Sequence, residues 1–210
     1  EAEKNNRKIE KGDYTCRELY VLVLGALQMD DDGCNFAKAI KEEGGKDCYV
    51  IAIDYSKTVP EIADSVYEKI KELKEKTNAT RIKLVGFSLG GSAALYLTQM
   101  NQDSDRYISE LVCVNTPFSE ERTLLRRAVD VIGGIKTGEN SIASWEAFGK
   151  GLTRVQSTII FSEGDGIIPY SSNMIAASSI GNEVAVIKGT HTTIMNEPNG
   201  VKIASWYGFN

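Results

Sequence analysis

The chain has 210 residues, 42% of them hydrophobic and 25% charged, a composition suited to one globular domain with a sizeable core. Lys and Arg number 24 against 29 Asp and Glu, so the net charge of −5 lacks the basic surface that nucleic acid requires. No apolar run is long enough to span a bilayer as a helix.

The first residues, "EAEKNNRKIEKGDYTC", are broken up by charge and do not form a signal peptide. Residues 1–14 are predicted to be a solvated, mobile arm, and 15–210 a single domain. A start at Glu1 rather than Met leaves room for a removed leader, so secreted and cytoplasmic locations both stay open. Six short apolar runs then read as strands: "LYVLVLG" (19–25), "CYVIAIDY" (48–55), "RIKLVGF" (81–87), "ELVCVN" (110–115), "STIIFSEGD" (157–165) and "EVAVIKG" (183–189). They are apolar at successive positions rather than alternating, as expected of strands covered on both faces.

Helical periodicity fills the gaps. "GCNFAKAIKEEG" places Phe36, Ala39 and Ile40 on one face. "PEIADSVYEKIKELKEKT" opens on Pro60 and repeats Ile62, Val66, Ile70 and Leu73 at helical steps. "SLGGSAALYLTQM" follows the third strand directly, and residues 119–150 carry one or two further helices, too few for a large cap domain. This alternation predicts an α/β fold with a mostly parallel central sheet of about six strands and helices on both faces. Ligands in such sheets bind beyond the carboxyl ends of the strands.

Four cysteines, Cys16, Cys34, Cys48 and Cys113, match no zinc spacing. Cys113 reads as a buried thiol, and one disulfide among the other three is left open. Asn78-Ala79-Thr80 forms a glycosylation triplet, a pattern that also arises by chance. Asp30, Asp31 and Asp32 read as a solvated loop rather than a metal site, so no metal or cofactor is expected.

The chemistry concentrates at the junction of the third strand and the helix after it. Gly86-Phe87-Ser88-Leu89-Gly90 fits the G-x-S-x-G turn, in which a strained serine is lifted above the sheet and glycines give the room for it. A serine hydroxyl needs a base, and the chain has one histidine, His191, just after the last strand. The base in turn needs an acid. Asp165 lies beyond a strand end in a Gly-Asp-Gly turn closed by Pro169, with Glu163 as the alternative; Asn115 stands at the other usual place, and Asp54 precedes the serine. An oxyanion would be held by two backbone N–H groups, that of Leu89 after the serine and that of Ala26, or else Leu27, after the first strand. Leu27, Phe87, Ile167, Ile168, Ile194 and Met195 flank these loops and are candidates for an apolar acyl pocket, although apolar residues at strand ends are equally often core.

From about Leu19 to the C-terminus, and most densely from "YVLVLGALQMDDDG" to "RIKLVGFSLGGSAALY", the chain resembles the α/β-hydrolase superfamily, above all its small lidless lipases and esterases. The resemblance implies that Ser88 is the nucleophile, Asp165 the acid and His191 the base, with Ala26 and Leu89 as oxyanion donors. Two positions depart from the pattern: Leu24-Gly25 replaces the usual His-Gly, and Phe87 replaces the His that precedes the serine in lipases. The expected function is hydrolysis of a small ester or lipid through an acyl-serine. A thioesterase or amidase would use the same residues, and a catalytically silent binding protein would share the fold. The oligomeric state is not readable from the sequence.

Overall fold

The computed structural model describes residues 2–12, 14–26, 34–100, 107–119, 127, 134, 155–178, 183–195, 198, 200 and 202–203. In chain order the elements are α1 (Ala2–Glu10), β1 (Glu18–Val23), α2 (Cys34–Gly44), β2 (Cys48–Ile51), α3 (Val59–Thr77), β3 (Arg81–Phe87), α4 (Leu89–Met100), β4 (Ile108–Val114), β5 (Gln156–Ser162), α5 (Tyr170–Ser178) and β6 (Glu183–Ile187), followed by a short turn of 3-10 helix at Thr193–Met195. The six strands form one sheet in the order β2-β1-β3-β4-β5-β6, every neighbouring pair parallel.

The strand sequences explain why the sheet is covered on both sides. Along β1, Leu19, Val21 and Val23 point into a core built with α3 and α4, while Tyr20 and Leu22 join Phe36, Ala37 and Ile40 of α2 on the opposite face. Both sets are buried, so the run shows no polar alternation. In α3 the buried positions Ile62, Val66, Ile70 and Leu73 make one stripe. Its start is set by Glu61, whose carboxylate accepts from the Thr58 N–H and hydroxyl at 2.8 Å each. Asn78, in the left-handed region at φ 53°, ends it.

Three expectations change. The strands are shorter than their apolar runs at the carboxyl end: β1 stops at Val23, β2 at Ile51 and β5 at Ser162. The residues beyond leave the sheet and form the loops above it. The predicted solvated arm is instead α1, docked on the open edge of β2. Ile9 of α1 is 1% exposed, and the Asn6 carboxamide donates to the Val50 carbonyl at 2.8 Å and accepts from the Val50 N–H at 3.0 Å. A side chain thus stands where a seventh strand would pair, which satisfies and blocks the edge. Finally, Cys16, Cys48 and Cys113 carry free thiols, so no disulfide joins Cys16 to Cys48. Burial pushes the thiols of Cys48 and Cys113 up to about 12. The side chain of Cys34, the Asp30–Asp32 run and nearly all of the helices expected over 119–150 lie outside the described residues. Among the described residues no helix is long and apolar enough to cross a membrane.

The strand order also locates the site. The chain runs outward from β1 to β2, then returns across β1 to β3 and proceeds the other way to β6. The reversal falls between β1 and β3, whose connections depart in opposite directions, and that is the place where open parallel sheets bind their ligands.

Candidate active site

Ser88 sits at that switch point, between the last residue of β3 and the first of α4. Its N–H donates to the Val114 carbonyl at 2.8 Å, continuing the sheet ladder; its own carbonyl accepts from Gly91 and Ser92 at 3.0 and 3.2 Å, opening the helix. One residue serves both elements only because its φ is 50°. A left-handed conformation at a non-glycine residue costs about 1–3 kcal/mol. Close packing around the turn excludes side chains from its neighbours. A β-carbon on Gly86 would lie 2.5 Å from the Gly91 α-carbon, one on Gly90 would strike the carbonyl oxygens of Val23 and Leu24, and one on Gly91 would strike the Thr116 hydroxyl. The glycines of the motif are therefore required by contact between backbones, as the sequence reading expected.

Above the turn, three side chains from three strand ends meet. The Ser88 hydroxyl is 3.1 Å from His191 Nε2, and His191 Nδ1 is 2.7 Å from Asp165 Oδ2. The other Asp165 oxygen accepts from the N–H groups of Ile167 and Ile168, both at 2.8 Å. Asp165 thus has one oxygen held by the backbone and the other free to orient the ring. Its side chain is fully buried, whereas that of His191 keeps 13% of its surface exposed. Glu163, the alternative acid, is exposed, and its backbone N–H bonds to Ile187.

The other sequence-predicted residues fall as follows. Leu89 is the first residue of α4, where an N–H has no carbonyl one turn before it. Ala26 is half-buried three residues past β1. The close approach of Gly90 to the Val23 and Leu24 carbonyls brings the start of α4 against the chain that leads to Ala26. Leu27 lies outside the described residues. Phe87 was expected in the acyl pocket but is 1% exposed, with its ring centroid 5.1 Å from that of His191. It supports the imidazole from below and cannot line an open pocket. Ile168 and Ile194, at 3% and 0% exposure, likewise belong to the core, as does Met195; Ile167 alone of this group is half-buried at the surface. These side chains face inward because the loops above the sheet are short and pack back onto it.

The sequence marked Asn115 only as a place where the acid is missing, and it gave no sign of Ser162. Both are completely buried beneath His191 and hydrogen-bonded to each other and to its loop. The only local trace of either is that Asn115 ends an apolar run.

The sheet order, the strained serine turn and the three side chains above it define the class by its architecture: the chain has the α/β-hydrolase fold. Within that class, residues 25–119 match the family model "Lipase (class 3)". That segment holds Ser88, Leu89 and Ala26. The fold is similar to that of a monoacylglycerol lipase from Paleococcus ferrophilus, with 14% identity, a TM-score of 0.66, and 92% of this chain and 95% of that chain covered. It is also similar to a thioesterase domain from the curacin biosynthetic pathway, with 12% identity, a TM-score of 0.63 and 90% of each chain covered. A bromoperoxidase from Bacillus anthracis aligns at 15% identity with a TM-score of 0.64 over 92% of each chain. At such identities the likeness concerns the fold alone. No curated protein matches the chain in sequence.

Proposed function

We propose that the protein is a serine hydrolase that cleaves carboxylic esters through an acyl-serine. The observation that carries the reading is the continuous contact from Ser88 through His191 to Asp165, at 3.1 and 2.7 Å, on a turn that holds the serine at a φ of 50°. The class 3 lipase match over residues 25–119 supports the same chemistry.

The steps follow from the atoms. His191 Nε2 takes the Ser88 proton as the hydroxyl oxygen attacks the ester carbonyl. Asp165, hydrogen-bonded to Nδ1, keeps the proton on that nitrogen and stabilises the imidazolium that forms. The carbonyl oxygen becomes an oxyanion at the N-terminus of α4, where the Leu89 N–H and the helix dipole favour negative charge and Ala26 supplies the second donor. The imidazolium then protonates the departing alkoxide, leaving the acyl group on Ser88. Water, deprotonated by the same imidazole, attacks this ester and releases the acid.

The test is turnover of p-nitrophenyl esters of graded chain length, with acyl thioesters and anilides in parallel. Ester cleavage that vanishes in Ser88→Ala, together with labelling of Ser88 by a fluorophosphonate, is the expected result. Thioester or anilide turnover above ester turnover would move the substrate class. Absence of labelling in a folded protein would leave a binding protein of the same fold.

A further inference from the structure

His191 stands on a loop, and a loop alone does not hold an imidazole to the tolerance that proton transfer demands. The loop is held from below by side chains of two neighbouring strands. Ser162, the last residue of β5, donates its hydroxyl hydrogen to the Thr190 carbonyl at 3.0 Å. Asn115, directly after β4, donates from Nδ2 to the His191 carbonyl at 3.2 Å. These carbonyls belong to the peptide groups before and after the His191 α-carbon. Fixing both planes fixes φ and ψ of His191, and with them the direction in which the side chain leaves the backbone.

The polarity of the network has a single solution. The Ser162 N–H, which can only donate, points at Asn115 Oδ1 at 2.7 Å, so the amide nitrogen must face the other way. One Nδ2 hydrogen goes to Ser162 Oγ at 2.8 Å and the second to His191. Ser162 Oγ, having accepted one bond, has its own hydrogen for Thr190. Both residues are 0% exposed, so water does not compete. The backbone is shaped to this end as well: Asn115 has a φ of 45°, a conformation that asparagine tolerates better than most residues, while its N–H still bonds to Ile160 at 2.8 Å. A residue serving only to join β4 to β5 would not spend a donor on the loop above them.

We propose that Asn115 and Ser162 are positioning residues, a two-point clamp that sets the His191 imidazole against Ser88. The proposal rests on the hydrolase reading for its kinetic consequence, though not for its structural one. The chain has one histidine, so a tag-free sample labelled with 15N-histidine gives one imidazole, and the Nδ1 proton bound to Asp165 is observed without overlap. In the wild type that proton should be sharp and slow to exchange. In Asn115→Ala and Ser162→Ala it should broaden or vanish. The kcat per fluorophosphonate-titrated site should fall about ten- to a hundred-fold, the usual cost of a misplacement near 1 Å, with KM little changed. The double variant should lose less than the product of the two single losses, because both act on one residue. Ser162→Thr, which retains the hydroxyl, should recover most of the rate. Should Asn115→Ala fail to fold, Ser162→Ala decides alone, since it keeps the Asn115 bond to the β5 backbone. A folded Ser162→Ala with wild-type kcat, or with an unchanged imidazole spectrum, overturns the proposal. Turnover that survives in Ser88→Ala would instead overturn the hydrolase reading, and the spectrum would then decide the clamp by itself.

Discussion

Ser88 is held at a φ of 50°, and its β-carbon is the source of the strain there. Ser88→Ala and Ser88→Gly both delete the hydroxyl and differ only in that carbon. Both should be inactive, and the glycine variant should be the more stable by about 1 kcal/mol, because alanine at positive φ retains the clash that glycine removes. Thermal melts of the two proteins check this; a more stable alanine variant would mean that the turn is unstrained. The acid allows a similar paired comparison. Asp165→Asn keeps the size and the bonds to Ile167 and Ile168 but removes the charge facing His191 Nδ1 at 2.7 Å, and kcat should fall by orders of magnitude. Glu163→Gln alters an exposed side chain with no contact to the imidazole and should leave kcat within about two-fold. Equal losses in both would return the acid to an open question.

At the scale of elements, the strands were legible because burial on both faces leaves an unmistakable run of Val, Ile and Leu, and α3 because its apolar stripe is clean. Helix α1 was not legible. Its sequence has a high density of charge, including the Arg7–Glu3 pair, and among its described side chains only Ile9, Asn5 and Asn6 are buried or partly covered. What docks it is a tertiary fact, an unpaired sheet edge that happens to be filled by an asparagine 44 residues earlier. The carboxyl ends of the strands were overrun for the same reason, since an apolar residue in the sheet and one in a core-packed loop look alike. Docking of α1 has a pH signature. The Tyr49 hydroxyl, 2.6 Å from Glu10, and more weakly Lys69 hold the Glu10 carboxyl below its ordinary value of 4.5. A carboxyl depressed in the folded state stabilises it above that ordinary value, and the contribution is lost as pH falls through the folded one. Glu10→Gln should therefore lower the urea midpoint at pH 7, and the gap from wild type should close toward pH 3. A gap that is constant across this range would show that the charge of Glu10 plays no part. Asn6→Ala should also loosen α1, with amide exchange at Val50 rising first.

Across the whole molecule, the three groups that meet above the sheet are far apart in the chain: Ser88 and His191 are separated by 103 residues, Asp165 and His191 by 26. The sequence revealed them through order and placement, a serine in a glycine turn, an acid past one strand end and the lone histidine past another, because a parallel sheet sends every strand's carboxyl end to the same side. It did not reveal the clamp of Asn115 and Ser162 or the inward burial of Phe87, Ile168 and Ile194, which depend on how closely the strand ends and loops pack. That only one histidine exists makes the proposed mechanism unusually open to a test by pH. The base must be neutral in the free enzyme to accept the Ser88 proton, so acid removes the acceptor itself. On the acid side, kcat/KM for a neutral ester should fall about tenfold per pH unit, the slope of a single proton, while the protein stays folded by circular dichroism. The 15N shift of the imidazole should report the same midpoint, because there is no second histidine to blur either curve. His191→Ala should abolish the rate and the inflection together. A profile with a two-proton slope would assign a second titrating group to the step, and a midpoint in the rate that departs from the one in the imidazole spectrum would take the role of base away from His191.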